Sequence, residues 1–200
     1  MSAWPYADRT PTEQFRSVNS LPRDISLFTV GEDIYASATP SEEVSSLRTS
    51  TAEIETFLVD NAASKDVAVG GYDAYEVSFT LKPQFEGKTK VTLCNACGEK
   101  FSLEFDTENM TVLADRSESG KMTRIKSFVL MPAAPLGLCN SSDGYDVDVF
   151  VDKCSVEVFV DGGRIAMTNL VFPSESFDNI VFESTGESEI SNMFIHKIGK

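Results

Sequence analysis

The sequence predicts an all-β fold, an antiparallel two-sheet β-sandwich with one short helix. Three observations lead to this prediction. Short stretches alternate polar and apolar residues and are rich in Val, Ile, Phe and Thr, which is typical of half-buried strands. Segments rich in Gly, Asn, Asp and Ser separate these stretches, as tight turns require. About a dozen such strands in a chain long enough for one core favour a jelly-roll, concanavalin or lectin-like, sandwich.

The first residues differ from the rest of the chain. Residues 1–20 are rich in turn-forming residues, including Pro5 and Pro11, and show little alternation. We therefore divide the chain into an extension over 1–20, which docks on another structure, and a sandwich over 21–200.

One segment has the signature of a helix start. In "TPSEEVSSLR", Thr39 is a candidate N-cap, Pro40 takes the first helical position, and Glu42 follows the cap by three residues. This arrangement is a capping box, so the sequence predicts a short helix over 40–48.

The strand candidates follow this helix. In chain order, the clearest alternating stretches are residues 75–81, 100–106, 124–131, 147–151 and 189–198. Ahead of them, we expect a mobile loop over 61–71. At "DGGR", Gly162 and Gly163 accept positive φ without steric cost, so we predict a tight hairpin there.

The charge balance excludes some partners. Seventeen Lys and Arg stand against 31 Asp and Glu, a formal charge of −14, which repels a phosphate backbone. We therefore expect no nucleic acid partner, whereas a neutral polysaccharide would feel little of this charge. No apolar run approaches the roughly 18 residues that span a bilayer, and the start lacks the features of an export signal. We expect no membrane partner.

The cysteines and the single histidine offer little metal chemistry. Cys94 and Cys97 form a CxxC pair, but Cys139 and Cys154 do not form a second one, and His196 is the only histidine. A plain hairpin turn with two small thiols is therefore favoured over a zinc site. With one histidine a Ser-His-Asp or Cys-His arrangement is disfavoured. We expect no metal and no cofactor.

Glu157 is an ionisable residue in the middle of the apolar run "SVEVFV". On a strand it shares one face with Ser155 and Phe159. A carboxylate buried there must be paired or hydrogen-bonded. A structural glutamate paired with an arginine such as Arg116 or Arg164 is favoured over a catalytic one, because strand interiors seldom carry site residues.

Three longer stretches resemble a known protein family. Residues 2–27, "SAWPYADRTPTEQFRSVNSLPRDISL", are similar to an NW-x-Y, PT, R, PRE-L pattern. Residues 113–120, "LADRSESG", are similar to L-x-DR-x-x-SG. Residues 151–173, "VDKCSVEVFVDGGRIAMTNLVFP", are similar to DxSSVEVFVNDG-x-x-x-T-x-x-x-FP. All three patterns are those of the invertase, levanase and inulinase enzymes of glycoside hydrolase family 32. The resemblance follows the order of the patterns in that family and extends over residues 2–198.

The resemblance implies a place within a two-module enzyme. Family members carry an N-terminal catalytic β-propeller and a C-terminal β-sandwich, and this chain resembles the sandwich with the last propeller strand before it. The family's three catalytic motifs have no counterpart here, so no catalytic residue is implied. Trp4 falls on the tryptophan that lines the family's fructosyl pocket, which implies a substrate-binding residue. We give structural roles to the other motif residues: Arg23, Asp115, Arg116, Glu157, Gly162 and Gly163.

Two functional hypotheses follow, the first from the resemblance and the second from the lectin-like architecture and the preference of an acidic chain for an uncharged ligand. The first is a non-catalytic C-terminal module of a fructan- or sucrose-cleaving glycosidase, with the catalytic propeller of the same parent chain as its partner. The alternative is a carbohydrate-binding, lectin-like module that holds fructan or another polysaccharide. A surface for oligomerisation remains open as well. The resemblance implies a periplasmic or secreted parent.

Overall fold

The computed structural model describes residues 6–13, 18–129, 131, 133–140 and 142–199. These residues form many strands and only short helices. The strands are β1 Arg23–Val30, β2 Asp33–Pro40, β3 Arg48–Ile54, β4 Phe57–Val59, β5 Lys65–Ala68, β6 Tyr75–Pro83, β7 Lys88–Cys94, β8 Lys100–Asp106, β9 Thr111–Asp115, β10 Ala134–Pro135, β11 Tyr145–Asp152, β12 Ser155–Val160, β13 Ile165–Leu170, β14 Asn179–Ser184 and β15 Ser188–Ile198. The helix α1 spans Lys126–Val129, and 3₁₀ turns span Ala7–Arg9, Glu42–Leu47 and Leu136–Leu138.

The strands form two large antiparallel sheets and a separate hairpin. One sheet has the order β10-β9-β8-β7-β14-β5, and the other has the order β13-β12-β11-β6-β15-β3, with β4 also paired to β15. The hairpin β1-β2 is a two-stranded sheet of its own. Since neither large sheet closes on itself, the predicted all-β sandwich is confirmed.

The core lies between the two large sheets. On β12, the alternate residues Val156, Val158 and Val160 point into it and are completely buried. The facing sheet contributes aromatic side chains such as Phe101 and Phe182, also completely buried. Burying one such side chain stabilises a fold by about 1.5–3 kcal/mol. This packing fixes the opposite face of β12, which carries Glu157, toward the outside of the sandwich.

The prediction of a strand over 124–131 is wrong. Lys126–Val129 forms a helical turn, and Phe128 is completely buried. The apolar residues Ile125, Phe128 and Val129 pack in one cluster outside the main core. Their spacing of three and four residues matches one face of a helix, and this pattern outweighs the alternation that predicted a strand.

The helix predicted over 40–48 is shorter and of another type. A 3₁₀ helix spans Glu42–Leu47, and its N-cap is Ser41, with no side-chain capping bond. Thr39 instead belongs to β2, where it pairs with Asp24. Because Thr39 takes part in this strand pairing, it does not cap the helix.

The loop predicted over 61–71 contains a strand. Residues Lys65–Ala68 form β5, which pairs with β14 at the edge of the six-stranded sheet. Val67 and Val69 are buried in the main core. An alternation of only two apolar residues, Val67 and Val69, does not distinguish an edge strand from a loop.

Candidate functional site

Glu157 lies on the outer face of the seven-stranded sheet, where the chain that precedes β1 crosses it. Its carboxylate accepts a hydrogen bond from the Leu21 backbone N–H at 2.7 Å and forms an ion pair with Arg23 Nη2 at 2.5 Å. The same Nη2 donates to the Thr168 hydroxyl at 2.5 Å. The Glu157 side chain is only 5% exposed, so the pair joins the incoming chain to the sandwich.

The partner of Glu157 differs from the arginines that we predicted. Arg23 makes the ion pair, whereas Arg116 and Arg164 bind elsewhere. The Arg23 guanidinium also lies 4.9 Å from the centre of the Phe159 ring. Arg23 precedes Glu157 by 134 positions, so only the folded chain brings the two together.

Arg116 is the centre of a second contact between the extension and the sandwich. Its guanidinium donates to the Phe128 carbonyl at 2.8 Å and to the Tyr6 hydroxyl at 3.1 Å. It also lies over the Phe128 ring at 4.4 Å and over the Tyr6 ring at 5.3 Å. Tyr6 is only 4% exposed and meets Phe128 edge to face, with ring centres 5.3 Å apart. The arginine of the second motif therefore binds the tyrosine of the first motif.

Asp115 shapes the turn that carries Arg116. Its carboxylate accepts a hydrogen bond from the Ser117 backbone N–H at 2.8 Å. At the end of this turn Gly120 has a φ of 111°, and a Cβ there would lie 2.0 Å from the Phe172 carbonyl oxygen. The turn therefore packs directly on the segment after β13.

Gly162 and Gly163 form the hairpin turn between β12 and β13. Their φ angles are 60° and 74°. At Gly163 a Cβ would lie 2.2 Å from the Ala38 carbonyl oxygen, and the Ala38 N–H donates to the Gly163 carbonyl at 3.0 Å. Gly163 therefore permits the close approach of the β1-β2 hairpin to the sandwich.

A crevice of about 290 Å³ opens beside this junction and contains charged residues. At its side, Arg48 binds both carboxylate oxygens of Glu76, at 2.7 and 2.6 Å. Asp148 also lines the crevice. Burial, followed by the nearby Glu76 carboxylate, raises the pKa of Asp148 to about 6.

Three residues with carboxylates line this crevice, namely Glu42, Glu76 and Asp148. Glycoside hydrolysis generally needs two, one as acid and one as nucleophile or base. The raised pKa of Asp148 suits an acid, but the Glu76 side chain is 2% exposed and is held by Arg48 through both oxygens. Sequence reasoning missed this cluster, although "YEVSF" and "DVDVF" each place a carboxylate between buried strand residues.

The cysteines and His196 form no metal centre in the described part of the chain. Cys94, Cys97, Cys139 and Cys154 are free thiols, and no group of three or more His, Cys, Asp or Glu in the described ranges is placed to hold an ion. His196 Nδ1 is 2.8 Å from the Thr51 hydroxyl, and burial lowers its pKa. The helices of the described residues are too short to cross a membrane. Trp4, our substrate-binding prediction, lies outside the described residues.

The three motifs thus converge on the docking of an N-terminal segment onto a β-sandwich. A sequence model for the C-terminal region of glycosyl hydrolases of family 32 matches residues 43–197. The chain belongs to this family. Family 32 relatives include a levanase of Bacillus subtilis, 28% identical over the whole of this chain and 30% of its own length. An extracellular exo-inulinase of Aspergillus awamori is 26% identical over 93% of this chain and 35% of its own length.

Solved structures of family 32 enzymes share the fold. The crystal structure of the Aspergillus awamori exo-inulinase aligns with 98% of this chain and 39% of its own, with a TM-score of 0.79 and 25% identity. A β-fructofuranosidase of Schwanniomyces occidentalis aligns with 98% of this chain and 43% of its own, with a TM-score of 0.79 and 21% identity. The chain spans about a third of the length of the relatives it matches. In these relatives the matched region is the C-terminal portion of a longer catalytic chain.

Proposed function

We propose that the chain is the non-catalytic C-terminal sandwich of a fructan- or sucrose-cleaving glycoside hydrolase, and that it stabilises the catalytic propeller before it. The observation that carries this proposal is the burial of Tyr6 between Arg116 and Phe128. Tyr6 belongs to the extension that resembles the end of the propeller. A sandwich that binds this extension holds the preceding domain in place.

The energetics of this contact support a fixed attachment. Tyr6 joins a cluster with Met122, Phe128 and Phe172, separate from the main core. Burying an aromatic ring of this size, together with a hydrogen bond from a buried guanidinium, stabilises a contact by about 2–4 kcal/mol. Arg23 and Glu157 add a second attachment at Leu21. The chain is therefore attached to the sandwich at Tyr6 and again at Leu21 and Arg23.

The relatives suggest the substrate and the compartment of the parent. One is named a levanase and another an extracellular exo-inulinase, so we infer a secreted enzyme acting on β-fructans or sucrose. Trp4 precedes Tyr6 by two positions. Under this proposal Trp4 lines the fructosyl pocket of the propeller.

An activity assay tests the non-catalytic role. The purified chain, incubated with sucrose, inulin and levan, is expected to release no reducing sugar. Clear turnover by the chain alone would overturn the proposal.

A fusion tests the stabilising role. The chain is fused behind the catalytic portion of the Bacillus subtilis levanase, in place of that enzyme's own C-terminal region. We expect a higher melting temperature for the catalytic portion than when it is expressed alone. Tyr6→Ala should remove much of the gain, whereas Glu13→Ala, at an exposed residue of the same segment, should not. An equal melting temperature with and without the sandwich would contradict the proposal.

A second candidate function, binding of a sugar ring, is favoured by the crevice beside Arg48. Asp148 lines it and makes no hydrogen bond with the described residues, and Phe150 provides an apolar wall. Hydroxyl groups of a sugar are suitable donors to such a carboxylate. Affinity electrophoresis in levan and inulin gels tests this: retardation that Asp148→Ala abolishes supports binding, and equal mobility with and without polysaccharide rejects it.

A further inference from the structure

One face of the β1-β2 hairpin is apolar and uncovered. Ile25 and Leu27 alternate along β1, and Ile34 lies opposite Thr29 on β2. Because alternate residues of a strand and directly paired residues share a face, all three side chains lie on the same side of the hairpin. They are 67%, 74% and 69% exposed. These are the highest exposures, with that of Phe85 at 68%, among the large apolar side chains of the described residues.

The opposite face of the hairpin packs on the sandwich. The Phe28 and Tyr35 rings stack there with centres 5.7 Å apart, and the Arg164 guanidinium lies 4.7 Å from the centre of the Phe28 ring. At the base, Gly163 binds Ala38 through the backbone. The hairpin is thus held from one side, and its apolar face is presented in a fixed position.

An exposed apolar face of this kind is unusual on a folded domain. Single exposed apolar residues are common, but neighbouring ones on a free two-stranded sheet mark an interaction surface or an aggregation risk. Two-stranded sheets are also marginally stable unless another element covers them.

We infer that this face, Ile25, Leu27 and Ile34, docks on the catalytic domain of the same polypeptide. The inference rests on the proposed function, since it requires a preceding domain. The position of the extension supports this occupant. The Tyr6 cluster includes Leu170, the last residue of β13, and β13 also contacts β2. The extension and the hairpin therefore lie along the same edge of the seven-stranded sheet.

The length of the relatives supports the same occupant. Roughly two thirds of the levanase and exo-inulinase chains lie outside the matched region, and that portion leads into the extension that Tyr6 anchors. A domain that precedes the extension would therefore lie near the edge that also carries the hairpin. Docking there would cover the three side chains.

Cysteine labelling in the levanase fusion tests this inference. Leu27→Cys is labelled with a maleimide in the isolated chain and in the fusion, and the modified peptide is quantified by mass spectrometry so that the native cysteines do not interfere. We expect labelling to slow by about tenfold or more in the fusion, because the side chain becomes buried. Leu58→Cys, at a residue 56% exposed on β4, is the matched control and should label equally in both.

The outcomes separate this inference from the proposed function. If the fusion raises the melting temperature of the catalytic portion but Leu27→Cys labels at the same rate in both proteins, the docking face is wrong and the stabilising role stands. If labelling of the isolated chain slows as its concentration rises, the occupant is a second copy of this chain, which also overturns the inference. A double variant, Leu27→Ser with Ile34→Ser, should lower the melting temperature of the fusion and leave that of the isolated chain unchanged, since exposed substitutions alter stability little.

Discussion

At the residue scale, the buried Arg23–Glu157 pair shows why a strand interior carries a charge. Glu157 lies between Val156 and Val158 in the chain, yet its carboxylate faces outward. The carboxylate accepts a hydrogen bond from the Leu21 N–H and forms an ion pair with the Arg23 guanidinium. Breaking such a pair leaves a charge without its partner in a poorly solvated place. The sequence indicated that Glu157 needs a partner, but its identity depended on which segment crosses the sheet.

Removing this carboxylate should destabilise the chain. We expect Glu157→Ala to lower the free energy of unfolding by about 1–3 kcal/mol, because Arg23 and the Leu21 N–H lose their acceptor. Urea titration followed by circular dichroism measures the change. Glu55→Ala, at an exposed position, serves as the control. A loss no larger than that of the control would show that the pair contributes nothing to stability.

Asp148 should make stability depend on pH. Its pKa rises from 3.8 to about 6 in the folded chain, so the folded state favours the protonated form. Stability from this residue is fully present below pH 3.8 and is lost as the pH rises through about 6. Asp148→Asn should therefore be more stable than the parent sequence at pH 7.5, and this advantage should vanish near pH 3.5.

Thermal melts across the pH range measure this difference. Asp33→Asn, at an exposed position of β2, provides a control that should follow the parent sequence. If Asp148→Asn raised the melting temperature equally at low and at high pH, Asp148 would be excluded as the source of the pH dependence.

At the element scale, the connections between strands depend on glycines at two different kinds of position. Gly163 has a φ of 74° and a backbone neighbour 2.2 Å from its missing Cβ. Gly71 has a φ of 73° and nothing within 4 Å. Comparing the two separates the cost of the backbone conformation from that of the close approach.

Alanine at these positions should have unequal effects. Gly71→Ala should cost about 1 kcal/mol for the left-handed conformation alone. Gly163→Ala should lower the free energy of unfolding by at least about 2 kcal/mol more than Gly71→Ala, because the β1-β2 hairpin must move away from the sandwich. Chemical unfolding of both variants measures the costs. Equal losses would show that the contact between Gly163 and Ala38 is unimportant.

The elements also show where local patterns were ambiguous. Residues 100–106 and 147–151 were predicted as strands and are strands, because their alternation coincides with burial on one face. In 124–131 the apolar residues also fit a helical spacing, and contact with Tyr6 and Phe172 decided in favour of a helical turn. The sequence predicts a cap at Thr39 because the pairing of Thr39 with Asp24 across the hairpin is not visible in a local window.

At the scale of the whole molecule, the net charge has consequences for stability. Self-repulsion among 31 acidic residues against 17 basic ones opposes the compact state. Salt screens this repulsion over about 10 Å at 0.1 M and over shorter distances at higher concentration.

Salt should therefore stabilise the chain. We expect the melting temperature to rise when NaCl is increased from about 0.05 to about 0.5 M, because repulsion is screened more than the few exposed ion pairs are weakened. Scanning calorimetry at several salt concentrations checks this. A falling melting temperature would mean that favourable ion pairs outweigh the net repulsion.

The sequence by itself determined the fold class, the division of apolar faces and the family, because alternation and motif order can be read from the chain without knowing which strands pair. It also indicated that Glu157 had to be partnered and that Gly162 and Gly163 formed a turn. Only the tertiary structure decided that Arg23 is the partner, that Arg116 binds Tyr6, that Asp148 and Glu76 share a crevice, and that one face of the first hairpin is left uncovered. Each of these depends on contacts between residues far apart in the chain, and such contacts exist only once the sheets have assembled in a particular order.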